Sequence, residues 1–371
     1  MKLVFDLSQF AKGKSHGFEE VNCNILDYIV ANRTEVLADE IIIVCPKGES
    51  DFFVNRYGNH FMYYEVDAKT YLRRLISSAR VPAMLNLSKE DLVFYPGNTL
   101  PLIGGRCKKL LTVHDLLYRH GEFCSKTFHF WLFRLHKYIY IPSSLRRANL
   151  VIADSECTKR EIIEAYHTNP DKIKVVYLYC NFDKYSKDDG RTTDDFSYPF
   201  YLSVCSGQKH KNHEVLIRAF NEAAKSDDTI HFVLVGALHP DAKPVYDSLD
   251  NNIKERFHIL KNLSYSDLAY LYSNARAYVS ASKYEGFGFP VVEALYFGRT
   301  CYLSDLDIHR EVSFNSSFYF IVDDWQTLAK YLLEFKNGEN YHKRVVDTYS
   351  PSNTIGKYIE AFNSLLSTRS E

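Results

Sequence analysis

No stretch of the sequence reaches the ~18 uninterrupted apolar residues that a membrane-spanning helix needs. The opening segment MKLVFDLSQF lacks the apolar core and small-residue cleavage site of a signal peptide, which points to a cytoplasmic protein with reduced thiols. Eight cysteines are scattered from position 23 to position 301 with no Cys-x-x-Cys pair, so neither a zinc ribbon nor a disulfide scaffold is expected. An excess of one charge is missing too: 45 Lys+Arg face 46 Asp+Glu, which argues against a nucleic-acid partner. No strand-like run is followed by Gly-x-Gly-x-x-Gly with an acidic residue about 20 positions on, which excludes the usual dinucleotide oxidoreductase. There is no short-period repeat and no low-complexity tract.

What is present is core material and rhythm. The 371 residues exceed twice the ~150 of a typical domain, so two domains are expected. Residues are 46% hydrophobic and 15% aromatic, with 28 Tyr and 25 Phe. Short runs, apolar on both faces, recur at 2–7, 41–45, 92–96, 109–115, 150–155 and 173–178. Such runs suit strands of a parallel sheet covered on both sides. The polar, charge-dense stretch 179–198 reads as a linker, after which the rhythm restarts at 200–204, 231–235, 258–262, 277–282, 301–304 and 318–322. Helical spacing of Val215, Leu216, Ala219, Phe220 and Ala223, and a capping box at Ser264 and Asp267, mark two intervening helices. Alternation of this kind predicts an α/β protein with two doubly wound, Rossmann-like domains. The boundaries read as 1–190 and 198–345, with an amphipathic segment over 350–371 that packs back across the junction.

Ligands of open α/β sheets bind beyond the carboxyl ends of the strands, so the chemistry is sought there. After the run at 277–282 comes KYEGFGFPVVEALYFG. Gly286 and Gly288 allow a tight turn, Pro290 suits the start of a helix and Gly298 its end. A glycine-lined helix start is a site for a diphosphate. Glu293 in the first turn could merely complement the helix dipole, and Glu285 could be solvated. Together with the Gly-Phe-Gly turn, however, the pair resembles the Glu-x7-Glu motif of retaining GT-B glycosyltransferases of family 4. SVCSGQKHKNHEVLIRAF (203–220), DSECTKREI (154–162) and TVHDL (112–116) resemble other segments of that family, in the expected order.

The resemblance implies a GT-B fold, two Rossmann-like domains facing across a cleft. It also implies residue roles. His114, Lys211 and Glu285 are the catalytic candidates, with Lys211 on the diphosphate and Glu285 on the hydroxyls of the donor sugar. Glu293 is implied at the ribose, because a carboxylate can accept two hydrogen bonds from a diol. Gly207, His210, Asn262, Leu263, Gly286, Phe287, Gly288 and Phe289 complete the donor site, and Gly17 is matched to a glycine loop in the first domain. His210 departs from the family's usual Arg, giving a shorter side chain that is only partly charged at pH 7. No cofactor or metal is called for: Asp305-Leu306-Asp307 is the near match to a metal-binding triplet, and it follows the Glu293 helix. His213, His231, His239, His258 and His309 lack metal-ligand spacing and read as structural.

The expected activity is a retaining, metal-independent hexosyl transfer from a nucleotide-sugar to a hydroxyl of a glycan or lipid-linked glycan, in O-antigen, capsule or exopolysaccharide assembly. GDP-mannose is the first donor, then dTDP-rhamnose or a UDP-sugar. The alternative is a catalytically silent nucleotide- or glycan-binding homologue. Segment 123–148 mixes Phe128, Phe130, Trp131, Phe133, Tyr138 and Tyr140 with Lys126, Arg134, Lys137, Arg146 and Arg147. It reads first as a buried helix with a basic wet side, and second, with 71–80, as a face for peripheral contact with an anionic membrane at its inner, cytoplasmic side.

Overall fold

The computed structural model describes residues 1–11, 16–123, 128–186, 190–193 and 195–368, with the side chains of 16, 128–130 and 133 outside that description. The chain divides into two units. The first joins Met1–Arg119, Ser125–Tyr179 and Tyr349–Glu371; the second holds His120–Cys124 and Cys180–Thr348.

In the first unit, seven strands run β1 (Lys2–Asp6), β2 (Glu40–Pro46), β3 (Met62–Val66), β4 (Leu92–Tyr95), β5 (Lys108–Val113), β6 (Leu150–Ala153) and β7 (Ile173–Val175). They form one parallel sheet in the order β3-β2-β1-β4-β5-β6-β7. Three of the six strands foreseen in the sequence, β4, β5 and β6, are buried at every position. The strand not foreseen is β3, an edge strand with only Val66 buried, which therefore lacks the apolar signature of its neighbours. The closing helix Pro351–Ser367 covers this sheet: Phe362 packs its ring against Phe5 and Phe94 at centroid distances of 5.6 and 5.2 Å.

The second unit holds β8 (Phe200–Val204), β9 (His231–Val235), β10 (Phe257–Leu260), β11 (Ala277–Ser280), β12 (Cys301–Ser304) and β13 (Phe318–Phe320). They form a parallel sheet in the order β10-β9-β8-β11-β12-β13. Helices His213–Ser226 and Trp325–Leu333 bring Leu216, Phe220, Leu328 and Leu332 onto a core that includes Tyr201 and Phe232. Both sheets reverse their strand order once, between β1 and β4 and between β8 and β11. Such switch points are where two strand exits diverge and leave room for a ligand.

The stretch read as a linker is built into the second unit. Residues Phe182–Ser186 form a 3-10 turn; Phe182 stacks on Tyr296 at 4.0 Å and Tyr185 meets Phe297 edge-on at 5.2 Å. Asp267, besides closing the Ser264 capping box, accepts the backbone N–H groups of Thr192 and Thr193 at 2.8 and 2.7 Å. Those bonds, with burial opposing them, leave its carboxyl well below the usual range.

Candidate active site

The principal cluster lies at the switch point of the second sheet. Beyond β8, Gly207 packs so close to the next loop that a Cβ would lie 2.9 Å from the Ala237 carbonyl oxygen. Gly236 on that loop has φ +129, and a Cβ there would lie 1.9 Å from the Cys205 oxygen. Only glycine lets the two exits meet at backbone distance. Lys209–Lys211 then make a 3-10 turn, and Asn212 takes a left-handed conformation that starts the helix at His213. Asn212 donates to Asp323 at 3.0 Å, and Asp323 also pairs with Lys283 at 2.7 Å.

Beyond β11, Glu285 receives the ammonium of Lys211 on both oxygens, at 2.7 and 2.8 Å, and the hydroxyl of Ser282 at 2.6 Å. Burial alone would raise this carboxyl; the Lys211 charge and these hydrogen bonds outweigh it and hold Glu285 below the ordinary carboxylate range. Behind the pair, the Ser304 hydroxyl donates to the Ser282 carbonyl at 2.5 Å, and His309 Nδ1 donates to the Ser304 carbonyl at 2.8 Å. Burial lowers the His309 pKa and keeps the ring neutral. The sequence reading of His309 as structural thus acquires a place: it braces the strand exits that carry Glu285. His213 is also neutral, lowered to about 4 by burial and neighbouring cations, and accepts the His239 N–H at 2.9 Å.

Gly288 has φ +94 and caps the helix Phe289–Tyr296, with Pro290 inside its first turn. Glu293 is the fifth residue of that helix, not a first-turn residue, so it is beyond the amides it was thought to complement. It is buried and held from two sides. Tyr272 donates its hydroxyl at 3.0 Å, and the ammonium of Lys184 lies at 3.2 Å. Phe287 is buried, with Phe289 at a ring distance of 5.2 Å. His210 is buried as well, with the Phe123 ring edge-on at a centroid distance of 6.3 Å. Asn262 is left-handed and exposed just past β10, with Leu263 half-buried beside it. Sequence reasoning missed Lys184, Tyr272, Ser282 and Ser304, none of which carries a motif.

His114 lies in the first unit, at the exit of β5. Its Nδ1 meets Asp154 Oδ2 at 2.6 Å and its Nε2 meets the Pro96 carbonyl at 2.7 Å. A carbonyl can only accept, so Nε2 carries a hydrogen; with a carboxylate at Nδ1, the ring is an imidazolium that donates twice. Burial works against that charge, but Asp154 and the two hydrogen bonds prevail and raise His114 to about 9. The TVHDL and DSECTKREI segments meet in this pair. Ser155, next to Asp154, caps the following helix by accepting the Thr158 N–H at 2.9 Å.

Gly17 is exposed in the first turn of the helix His16–Ala31, not in a loop, and a Cβ there would meet nothing within 4 Å. Residues 14 and 15 of its segment lie outside the described residues, as does Lys126 of segment 123–148. The helix of that segment, Phe128–Arg147, is not wholly buried: Trp131, Leu132, Leu135, Tyr138 and Ile139 are exposed. Among its basic residues, Arg134 and Arg147 are turned inward to the carbonyls of Tyr118 and Pro101. Asp305 does not stand open for a cation, since Arg310 engages both its oxygens at 2.6 and 2.9 Å. Among the described residues no group of three or more His, Cys, Asp or Glu could hold a metal ion, and no helix is long and apolar enough to cross a membrane.

Comparison with known proteins agrees with this geometry. The family model for glycosyl transferases group 1 matches residues 187–348, and the model for glycosyltransferase family 4 matches residues 30–182, so that together they span most of the chain. The O-antigen chain mannosyltransferase RfbU of Salmonella typhimurium is 24% identical over 336 residues, 85% of this chain and 88% of that protein. A glycosyltransferase from Rickettsia africae superposes with a TM-score of 0.69 at 17% identity over 99% of both chains. Anabaena HepE in complex with UDP and glucose does so with a TM-score of 0.66, also at 17% identity and 99% coverage of both chains. Two parallel-sheet, Rossmann-like domains of this kind are the GT-B fold. The chain belongs to the group 1 glycosyltransferases of family 4.

Proposed function

We propose that this glycosyltransferase moves a hexosyl group, mannose from GDP-mannose as first choice, to a hydroxyl of a growing glycan with retention of anomeric configuration and without a metal. The observation that carries the reading is the Lys211–Glu285 pair at the switch point of the second sheet. The choice of mannose and of an O-antigen-type acceptor leans on the similarity to RfbU; dTDP-rhamnose and UDP-sugars follow.

In this scheme Lys211 bridges Glu285 and the departing diphosphate. An ammonium has three donors, two of which Glu285 takes, so one remains for a phosphate oxygen. Glu285 accepts from the sugar hydroxyls, Glu293 from the ribose, and the Gly286–Phe289 turn offers its amides and helix start to the second phosphate. The acceptor oxygen bonds to the anomeric carbon on the face from which the diphosphate oxygen leaves, and the acceptor's proton passes to that oxygen. No protein nucleophile is required; the chain contributes positioning and stabilises the leaving charge. His114, with both ring nitrogens committed, serves as a fixed positive charge and not as a proton carrier.

Proton NMR of fresh product formed in excess chelator tests both halves. Retained product without added metal is expected. Inverted product would overturn the retaining assignment, and product that forms only with magnesium would place Asp305 and Asp307 on a metal in exchange for Arg310.

The reading extends to an anionic membrane as peripheral partner. Helices Tyr71–Met84 and Phe128–Arg147 contain no Asp or Glu, and with Arg134 and Arg147 turned inward their exposed cations are Arg73, Arg80 and Arg146. Tyr71 joins the two helices through its contact with His136. Leu72 and Ile76 on one helix and Trp131, Leu135 and Ile139 on the other are exposed, and apolar residues with cations suit an interfacial layer.

A further inference from the structure

We infer that Lys184 is a positioning residue for the ribose diol of the nucleotide, acting through Glu293. The inference rests on the proposed assignment of Glu293 to the ribose and adds a residue from the segment that composition marks as a linker.

Lys184 belongs to the 3-10 turn Phe182–Ser186, and its position is fixed on both sides. Phe182 is stacked on Tyr296 at 4.0 Å with an interplanar angle of 3°, and Tyr185 contacts Tyr272 and Phe297 edge-on. The Lys184 ammonium lies 5.2 Å from the ring centroids of both Tyr185 and Tyr265, which favours the charge without neutralising it. From there it reaches Glu293 Oε1 at 3.2 Å, with side-chain exposures of only 15% and 11% for the two partners. The other oxygen, Oε2, accepts from Tyr272, itself fully buried.

A carboxylate has about four acceptor sites on its two oxygens. Lys184 and Tyr272 occupy one on each, which fixes the plane of the group and leaves one acceptor on each oxygen. Two parallel acceptors of that kind match a vicinal diol. Without Lys184 the carboxylate would keep one anchor, Tyr272, and could rotate about it. An ion pair this far from water is costly to make and adds little to stability compared with apolar packing, so its benefit is sought in geometry. Tyr272 is the body of the device and Lys184 the part that can be changed without opening a core cavity.

The test uses the full chain and calorimetric titration with GDP, UDP, their 2′,3′-dideoxy forms and dTDP, on the wild type, Lys184→Met and Lys184→Arg. Melting temperatures confirm folding, and Lys184→Gln replaces Lys184→Met if the latter melts early. For whichever base binds more tightly, the wild type is expected to prefer the ribose form roughly tenfold, the scale of one or two hydrogen bonds to a charged group. Lys184→Met should reduce that preference to about twofold or less while changing the dideoxy affinity little, and Lys184→Arg should restore most of it. Full preference retained in Lys184→Met overturns the inference, as does an equal loss for both forms, which would mark a merely structural lysine. Absence of preference in the wild type overturns the assignment of Glu293 itself. Binding of dTDP in place of GDP and UDP overturns the diol role, since deoxyribose has no vicinal diol, and failure of all three to bind overturns the nucleotide reading.

Discussion

In the first domain a carboxylate at a strand exit meets an imidazole; in the second it meets an ammonium. Asp154 and His114 form a closed pair, because the only other donor of the ring is spent on the Pro96 carbonyl. Lys211 and Glu285 form an open one, because the ammonium keeps a third donor and the carboxylate keeps acceptor sites beyond Lys211 and Ser282. The carboxylate of each pair is shielded from water, and both pairs end strands of parallel sheets that reverse order at one point. What separates them is spare hydrogen-bonding capacity, so the same electrostatic motif is saturated in one domain and keeps donors and acceptors to spare in the other.

The largest expected effect comes from breaking the open pair. Lys211→Met removes the phosphate donor and strands a buried carboxylate, so turnover should fall at least ~100-fold. Stability should drop by about 3–5 kcal/mol, the usual cost of leaving one member of a buried pair alone. Adding Glu285→Gln should recover much of the thermal midpoint and none of the turnover; activity and melting curves of the two variants decide this. A Lys211→Met protein that turns over normally would show the phosphate site to be elsewhere.

A smaller effect distinguishes the closed pair. His114 holds its proton in the folded chain up to about 9, against an ordinary 6.5. The native state thus binds a proton that the unfolded chain releases, so the pair's contribution is complete below 6.5 and is lost as pH rises through about 9. Asp154→Asn should lower the melting temperature most at pH 6–7 and converge on the wild type toward pH 10. Parallel melting curves across that range would show that His114 is not charged in the folded chain.

The smallest effect concerns the exposed face of the helices Tyr71–Met84 and Phe128–Arg147 in the first domain. Flotation with anionic liposomes should capture the protein at low salt and release it at high salt, since a cation near the surface contributes about 1 kcal/mol. Trp131→Ser should weaken capture without changing its salt dependence. No flotation at low salt would leave the helix Phe128–Arg147 without a lipid partner.

Most of this architecture could be read directly from the residues. The runs at 200–204, 231–235 and 301–304 coincide with β8, β9 and β12, because buried parallel strands are apolar without interruption and end at polar exits. The helix start after Gly288 was legible for a similar reason, since glycines and a proline leave few backbone choices there. The misses share a cause in turn. Edge strand β3 alternates weakly, and the 3-10 turn Phe182–Ser186 is too short to show a period, so the polarity around it suggested a tether. Lys184 could not be found by pattern, because its partner is 109 positions away and ring contacts of Phe182 and Tyr185 with the second unit bring the two together.

The helix Pro351–Ser367 has a consequence for the order of synthesis. Its Phe362 packs on both Phe5 and Phe94, so the sheet that holds Lys2–Asp6 is covered by a segment that follows the whole second unit in sequence. Until that helix emerges, an aromatic face of the N-terminal half stays uncovered while the second domain, contiguous from residue 180 to residue 348, can already close. A chain whose second unit has closed before that helix docks would expose the rings of Phe5 and Phe94, so the helix acts as the seal over a face that would otherwise associate.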